Sequence, residues 1–551
     1  MLGGRLVQLQ GLDGNQYAAA ARQQRLDTTV IPAERGRITD RDGRVLAYTV
    51  ASRTVVADPK IVTDPAAAAF ALAPLLKVPA PTLRAKLSRT GRYVVLARDV
   101  TPTDAARIKA LAIRGVSTED TTQRIYPDGR IAAAVLGFTA RDGAGGAGIE
   151  LRYDGVLAGR QGSIAVETGE HGQQIPSGLR RETAAIAGSS VRLTLSEDLQ
   201  YVTQSALVDA VKRSRARGGQ VVVLDARTGE VLAMATAPTY DAQHPGTADP
   251  AAMGNAAVQA PVEPGSANKV VTFAAALDRG LIRPDTPMSV PGSIQVADRV
   301  IHDAWSHGVV KWSATGVLAK SSNVGTLMIA QRLGEARFYD YLTRFGIGSR
   351  TGIELPGESP GLLPAPETWS GSTFGNLPIG QGVSMTALQL ASMYQTIAND
   401  GVRVPPRVVS QVVGPGGAVS TPDAPATTHV VSAEAARTLR TMMEAVVQEG
   451  GTAPSAAIDG YRIGGKTGTG QKPDAACRCY RGGYWATFAG IAPADSPRFV
   501  VSVIIDDAKG GLHGGAVAAP LFKTIAAYAL TQRGVPPTGS PTQPVPLVLD
   551  D

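Results

Sequence analysis

The sequence predicts an α+β protein of more than one domain, and three observations carry that reading. At 551 residues the chain is too long for one ordinary domain. Short apolar runs at 220–224, 231–235, 485–491 and 499–505 read as strands. Longer runs read as helices: after Ser432, residues Leu439, Met442, Met443, Val446 and Val447 share one apolar face, closed by Gly450-Gly451. Hydrophobic content of 44% against 18% charged residues leaves room for large cores and excludes disorder throughout.

The N-terminal elements follow in order. Residues 16–25 are rich in Ala and Gln without Gly or Pro, which suits a helical stalk. Arg35-Gly36-Arg37-Ile38-Thr39-Asp40-Arg41-Asp42-Gly43-Arg44 reads as strand, Asp-Gly turn, strand. Strands are expected at 54–57 and 93–97 and helices at 66–73 and 104–112. The Gly-rich stretch 143–148 reads as a flexible turn. No acid/base pair or metal cluster stands out in this half, which reads as a binding and positioning module.

A boundary falls near 185–215. Residues 191–195 read as a strand, and Ser196 as the cap of a helix starting near Glu197. The runs 220–224 and 231–235, joined by 225–230, form a hairpin of two apolar strands. Residues 270–460 read as a largely helical lobe with a core that includes Met442 and Met443. Three stretches then read as closing strands: one leading through 461–463 into Lys466, then 485–491, then 499–505. From Gly534 onward Pro and small polar residues dominate, and disorder is expected.

The net charge is +7 and the pI near 9.3, but the basic residues are scattered, so a solvated surface is favoured over a dedicated patch. No nucleic-acid motif is present. Cys477 and Cys479 form neither a disulfide framework nor a zinc pattern; a tight local disulfide and two free thiols both remain open. No segment approaches the ~20 apolar residues that span a bilayer, and no signal peptide is visible.

The chemistry centres on Glu263-Pro264-Gly265-Ser266-Ala267-Asn268-Lys269. Pro-Gly makes a turn, and a run that suits a helix follows to Asp278. Ser266 therefore lies at a helix start, with Lys269 one turn on and on the same face. A serine hydroxyl needs a base, and a neighbouring deprotonated lysine can be one. Alone, Ser-x-x-Lys is common by chance. Ser321-Ser322-Asn323 and Lys466-Thr467-Gly468-Thr469 follow it in order, and the three together are the motif set of penicillin-recognising serine acyltransferases.

On these motifs the chain resembles a class B penicillin-binding protein, a peptidoglycan D,D-transpeptidase. Weaker points of resemblance lie at 35–47, 124–127, 148–154, 345–348 and 379–382, and the stretch 290–327 is most similar to actinobacterial division-type members. The resemblance implies a penicillin-binding/β-lactamase-like transpeptidase domain, with a five-stranded antiparallel sheet and helices, at 191–532. An extended mixed α/β pedestal of the dimerisation type would precede it at 31–190, after a juxtamembrane stalk at 1–30; a disordered tail would occupy 533–551. Arg37 and Asp40 are candidates for pinning the pedestal to the next domain, with ordinary hairpin charges as the alternative. Glu150 is a candidate for fixing the hinge between modules, with an exposed helix charge as the alternative.

The implied catalytic residues are Ser266, Lys269, Ser321, Asn323 and Lys466, with Thr467, Gly468 and Thr469 binding substrate. Ser266 would attack, Lys269 take its proton, and Ser321 relay a proton to the leaving amine. Asn323 would hold the substrate backbone and Lys269. Burial and a second cation, supplied by Lys466, would lower the pKa of Lys269, and Lys466 would also help bind the substrate carboxylate. Gly468 would leave room for an extended substrate along the strand edge. The backbone N–H groups of Ser266 and Thr469 would form the oxyanion hole. No cofactor or metal is expected. Six histidines are scattered, and a lysine base makes a Ser-His-Asp triad unnecessary. His302, His307 and His513 stay as spatial candidates, His513 being the one expected at the cleft rim.

Implied partners are peptidoglycan stem peptides and β-lactams, with a SEDS-type glycosyltransferase and divisome proteins. The implied place is the cell membrane, with an extracytoplasmic catalytic domain and an anchor lying ahead of this chain. A soluble cytoplasmic protein would meet no wall substrate. The alternatives are an elongation-type transpeptidase, a β-lactamase or D,D-carboxypeptidase, and a non-catalytic division scaffold. The long N-terminal module argues against a simple hydrolase, and the complete motif set against a decayed site.

Overall fold

The computed structural model describes residues 25–169, 174–474, 477, 479–511, 513–539 and 545–549. The helix expected over 16–25 lies, but for its last residue, outside them. The described chain opens with β1 (Leu26–Ile31), β2 (Ile38–Thr39) and β3 (Val45–Ala57). A small subdomain follows: α1 (Pro65–Leu76), α2 (Ala80–Leu87), β4 (Val94–Val100), α3 (Pro102–Ala110) and β5 (Val116–Ile125). It has its own core, including Val55, Leu72, Leu83, Leu96 and Ile108. The Asp64 carboxylate starts α1 by accepting from Ala66 and Ala67, with Pro65 at the first helical position.

Next come α4 (Gly148–Arg152), β6 (Gly162–Glu167) and β7 (Arg180–Thr183). Residues 26–30, placed in the stalk by the sequence, instead belong with Ile31 to β1, which pairs antiparallel with β6 as the edge of a three-stranded sheet. Glu150, on α4, is fully buried. It accepts from Arg35 Nε at 2.6 Å, Arg124 Nε at 2.7 Å and the Tyr126 hydroxyl at 3.2 Å. All these partners precede residue 190, so the hinge expectation is corrected: Glu150 locks the N-terminal region to itself. The link onward runs through Gln243, whose side chain bonds the Tyr126 N–H and the Arg124 carbonyl, both at 3.1 Å. The stretch 143–148 is correspondingly packed. A Cβ on Gly145 would strike the Glu150 carbonyl, and Gly148 holds a φ of 55°.

The junction is made by β8 (Ser190–Leu193) and α5 (Glu197–Arg213). Ser196 occupies the N-cap position without capping through its hydroxyl. Asp40 does that work from the other region: Oδ2 accepts the Glu197 N–H at 3.2 Å, while Oδ1 accepts from Asp42 and Arg44. Of the expected pinning pair, Asp40 spans the junction. The Arg37 side chain is exposed, and its carbonyl accepts from Val191 N.

The C-terminal region contains β9 (Gly218–Asp225), β10 (Val231–Ala237), α6 (Lys269–Asp278), β11 (Pro287–Val290), β12 (Ser293–Val296), β13 (Arg299–His302) and β14 (Val310–Ser313). After these come α7 (Ala314–Ala319), α8 (Asn323–Leu333), α9 (Glu335–Arg344), α10 (Ala387–Ala398), β15 (Val402–Arg403), β16 (Val409–Val413), β17 (Val419–Ser420) and β18 (Thr428–His429). The last elements are α11 (Ala433–Glu444), β19 (Gly464–Asp474), β20 (Cys479–Ala492), β21 (Phe499–Asp506) and α12 (Gly514–Gln532). The expected five-stranded antiparallel sheet is present, in the order β10-β9-β21-β20-β19. Helices α5 and α12 cover one face and α10 the other. That is why β9 and β21 are buried at every position but the last and do not alternate. Ser432 caps α11, and Met442 and Met443 are fully buried, as expected.

A second sheet runs β17-β16-β8-β2-β3-β4, with β5 also on β3. It takes β2 and β3 from the N-terminal region and β16 and β17 from the C-terminal one, with β8 parallel to β2 between them.

The disordered-tail expectation is corrected for residues 545–549. Val548 bridges Trp312 antiparallel, the Ser313 N–H donates to the Leu547 carbonyl at 3.1 Å, and the Leu549 N–H donates to the Lys311 carbonyl at 3.0 Å. The tail covers the open edge of β14, where a strand finds both backbone partners and apolar cover. Among the described residues no helix is long and apolar enough to cross a membrane.

Candidate active site

A glycine turn and four hydrogen bonds place Ser266. It lies half-buried in a 3₁₀ turn, Gly265–Asn268, that runs into α6. Gly265 has a φ of 55°, which favours glycine. The Asn268 amide donates to the Leu377 carbonyl at 2.8 Å, and the Tyr394 hydroxyl to the Ala267 carbonyl at 3.1 Å. Upstream, Glu263 accepts from the Tyr480 hydroxyl at 2.8 Å and the Gly382 N–H at 3.1 Å. The sequence reading missed this Glu263–Tyr480 tie, because 217 residues separate the two.

Lys269, on the first turn of α6, is fully buried. Its Nζ donates to the Ser321 carbonyl at 2.6 Å, Asn323 Oδ1 at 2.7 Å and Ser321 Oγ at 3.3 Å. Lys466, equally buried on β19, reaches the same Ser321 hydroxyl from the other side at 2.9 Å, and the Thr467 carbonyl at 3.1 Å. Ser321 holds a φ of 61°, costly for a residue with a side chain and commonest where function demands the position. Two amines thus converge on one hydroxyl.

Burial pushes the Lys269 ammonium down to about 7, opposed by the charge of Asp303. Lys466 is driven well below the usual lysine range, first by burial and then by Lys269. For Lys269, burial and the nearby Lys466 cation were both expected to lower the value; burial is the cause that acts.

Asp303 is the second residue the sequence reading missed. Its buried carboxylate accepts from Ser322 Oγ at 2.6 Å, from Asn323 N and from Val324 N at 3.0 Å. It caps the start of α8, where free N–H groups and the helix dipole favour an anion. His307 Nε2 lies 3.0 Å from the same carboxylate, and Trp305, His307 and Trp312 pack ring against ring at 5.4–6.1 Å. A cleft of about 480 Å³ opens beside them, lined among others by Ser293, His302, Trp305 and Val309.

β19 lies against the serine turn. A Cβ on Gly468 would collide with the Pro264 carbonyl, so the empty space here is taken up by the turn itself; the sequence reading had reserved it for substrate. Thr469 approaches Gly265 in the same way, and Thr467 Oγ1 shares a hydrogen bond with Thr452 Oγ1 at 2.9 Å. The structure therefore gathers Lys269, Ser321, Asn323, Lys466 and Thr467 into one hydrogen-bonded network. It sets Gly468 and Thr469 along the turn that carries Ser266. His302 offers its carbonyl to Asn323 Nδ2 at 2.9 Å, His307 stands behind Asp303, and His513 is exposed at the N-cap of α12. The cysteine question resolves as a Cys477–Cys479 disulfide in the β19–β20 connection, next to Tyr480.

A serine at a turn, a buried lysine one helical turn on and a second lysine on the adjacent edge strand define a penicillin-recognising serine acyltransferase. The chain belongs to the class B penicillin-binding proteins. The model for the penicillin-binding protein transpeptidase domain matches residues 219–527, and that for the dimerisation domain residues 30–193. PbpB of Mycolicibacterium smegmatis is 44% identical over 96% of this chain and 87% of its own length. The peptidoglycan D,D-transpeptidase FtsI of Escherichia coli is 34% identical over 97% of this chain and 90% of its own. The crystal structure of penicillin-binding protein 3 of Mycobacterium tuberculosis with ampicillin superposes with a TM-score of 0.76 at 40% identity, covering 95% of this chain and 100% of that one.

Proposed function

We propose that this chain is a division-type peptidoglycan D,D-transpeptidase that cross-links stem peptides through an acyl-enzyme on Ser266. The observation that carries the reading is the shared Ser321 hydroxyl between two buried lysines. Ser266 Oγ attacks the carbonyl of a D-Ala-D-Ala bond and gives its proton to Lys269, which is neutral in a useful fraction near neutral pH. Ser321 passes a proton to the departing D-Ala, and an amine of a neighbouring stem then takes the acyl group. Asn323 orients Lys269 and the substrate backbone. Lys466, with Thr467 and Thr469, receives the substrate's terminal carboxylate, whose charge favours the ammonium that burial opposes. Gly468 keeps β19 close to the serine turn. The N–H groups of Ser266 and Thr469 hold the oxyanion.

In this reading residues 31–190 are the pedestal and 191–532 the transpeptidase domain. The catalytic region faces the outside of the membrane, a setting the Cys477–Cys479 disulfide supports. Its membrane partner is a SEDS-type glycosyltransferase within the divisome, supported by the resemblance to division enzymes. The test is intact mass after incubation with benzylpenicillin, for wild type and Ser266→Ala. A stable adduct on the wild type alone is expected. Rapid release would favour a β-lactamase, and no adduct on folded protein would overturn the assignment.

A further inference from the structure

Ser321 stands just beyond α7, a helix of six residues, Ala314–Ala319. A helix this short has little stability of its own, so its placement depends on what fixes its first turn. That turn is held by Ser313, the N-cap residue, whose Oγ accepts from Gly316 N at 3.0 Å. The same hydroxyl donates to the Pro546 carbonyl at 2.6 Å. The helix start is therefore bonded directly to the segment 233 residues downstream that runs beside β14.

The packing there is close. A Cβ on Gly316 would collide with the Leu547 carbonyl, so the tail backbone sits on the first turn of α7 with room for glycine alone. By themselves β11 and β14 are a two-stranded pair, which is marginal; the tail adds a bridge at Trp312–Val548 and two backbone hydrogen bonds along the free edge of β14. A second route reaches the motif through the paired residue. Trp312 is buried and packs on His307 at 5.4 Å, and His307 touches Asp303, which holds Ser322, Asn323 and Val324.

We propose that the segment Pro546–Leu549 is a positioning element of the active site: as an added strand on β14 it fixes the β14–α7 corner and so sets Ser321 and Asn323 for acylation. The edge of β14 is accordingly an acceptor for an extended, proline-led apolar peptide. This inference rests on the acyl-transfer reading of the site.

The experiment compares wild type, a chain ending at Gly539, and full-length Leu549→Pro, which removes the N–H given to Lys311 without touching the domain interior. Acylation by a fluorescent penicillin is resolved into its binding constant and its first-order acylation step. Amide exchange is followed across residues 313–324. The shortened chain is expected to keep its far-ultraviolet spectrum, acylate about tenfold more slowly or worse with a smaller change in binding, and exchange faster at 313–324. Leu549→Pro falls between, and a synthetic peptide of residues 541–551 added in trans restores the acylation step. A folded shortened chain with wild-type acylation and unchanged exchange overturns the proposal. If the shortened chain does not fold, Leu549→Pro decides by the same two readouts. If the wild type itself takes no penicillin, the functional reading fails, and unchanged exchange at 313–324 then independently refutes the positioning role.

Discussion

The rate of acylation should follow the titration of Lys269. The lysine acts as a base, so only its neutral form is competent, and the rate must rise with pH. With a midpoint at about 7, the neutral fraction is about 0.1 at pH 6 and about 0.9 at pH 8, a rise of roughly tenfold. The groups that face its ammonium are Ser321, Asn323 and, through charge, Asp303 and Lys466. Asp303 pulls the midpoint up, so Asp303→Asn, which keeps an oxygen for the N–H groups of α8, should move the rising limb to lower pH. Stopped-flow acylation between pH 5.5 and 9, for both proteins, is the assay. A wild-type rate that is flat from pH 6 to 8, or an Asp303→Asn limb displaced upward, would refute the reasoning. The same burial opposes folding. An unfolded lysine titrates near 10.4 and the folded one near 7, so the contribution to stability is full above the first value. It is lost as pH falls through the second, and stability from this group rises with pH in between.

Three further outcomes can be checked. Glu150→Ala leaves Arg35 and Arg124 buried without their carboxylate and should cost about 3–5 kcal/mol in urea unfolding. Gly468→Ala forces β19 away from the Pro264 carbonyl and should slow penicillin acylation by about 100-fold while leaving the fold intact by circular dichroism. Asp40→Ala removes the acceptor for the Glu197 N–H and for its own turn, and thermal unfolding should show a loss of about 1–2 kcal/mol.

The residues of the site that lie in short contiguous motifs were legible, because Ser-x-x-Lys, Ser-x-Asn and Lys-Thr-Gly each place their side chains by local backbone geometry. The apolar runs of β9, β10, β20 and β21 were legible for a similar reason: strands covered on both faces need no pattern beyond β-branched residues. What escaped depends on distant pairing. Asp303 stands alone between His302 and Ala304, and nothing local marks it as the cap of α8. Arg35 reads as one arginine among many until Glu150 is brought beneath it. The tail has a loop's composition, and the edge of β14 gives the backbone of residues 547–549 its partners.

The sheet that joins β3 and β4 to β16 and β17 has a mechanical consequence. A flexible linker would let the two ends of the molecule swing freely, but here the connection runs through a ladder of backbone bonds, from Ile38 and Thr39 to Val191 and Arg192 and on to Val409–Val413. A push on the outlying subdomain is carried as torsion along one continuous plate, and that plate reaches β10 through Thr194 Oγ1, which donates to the Val231 carbonyl at 2.7 Å. The protein is built as a stiff handle on a catalytic head, so whatever grips the handle also sets the angle at which the head meets its polymer.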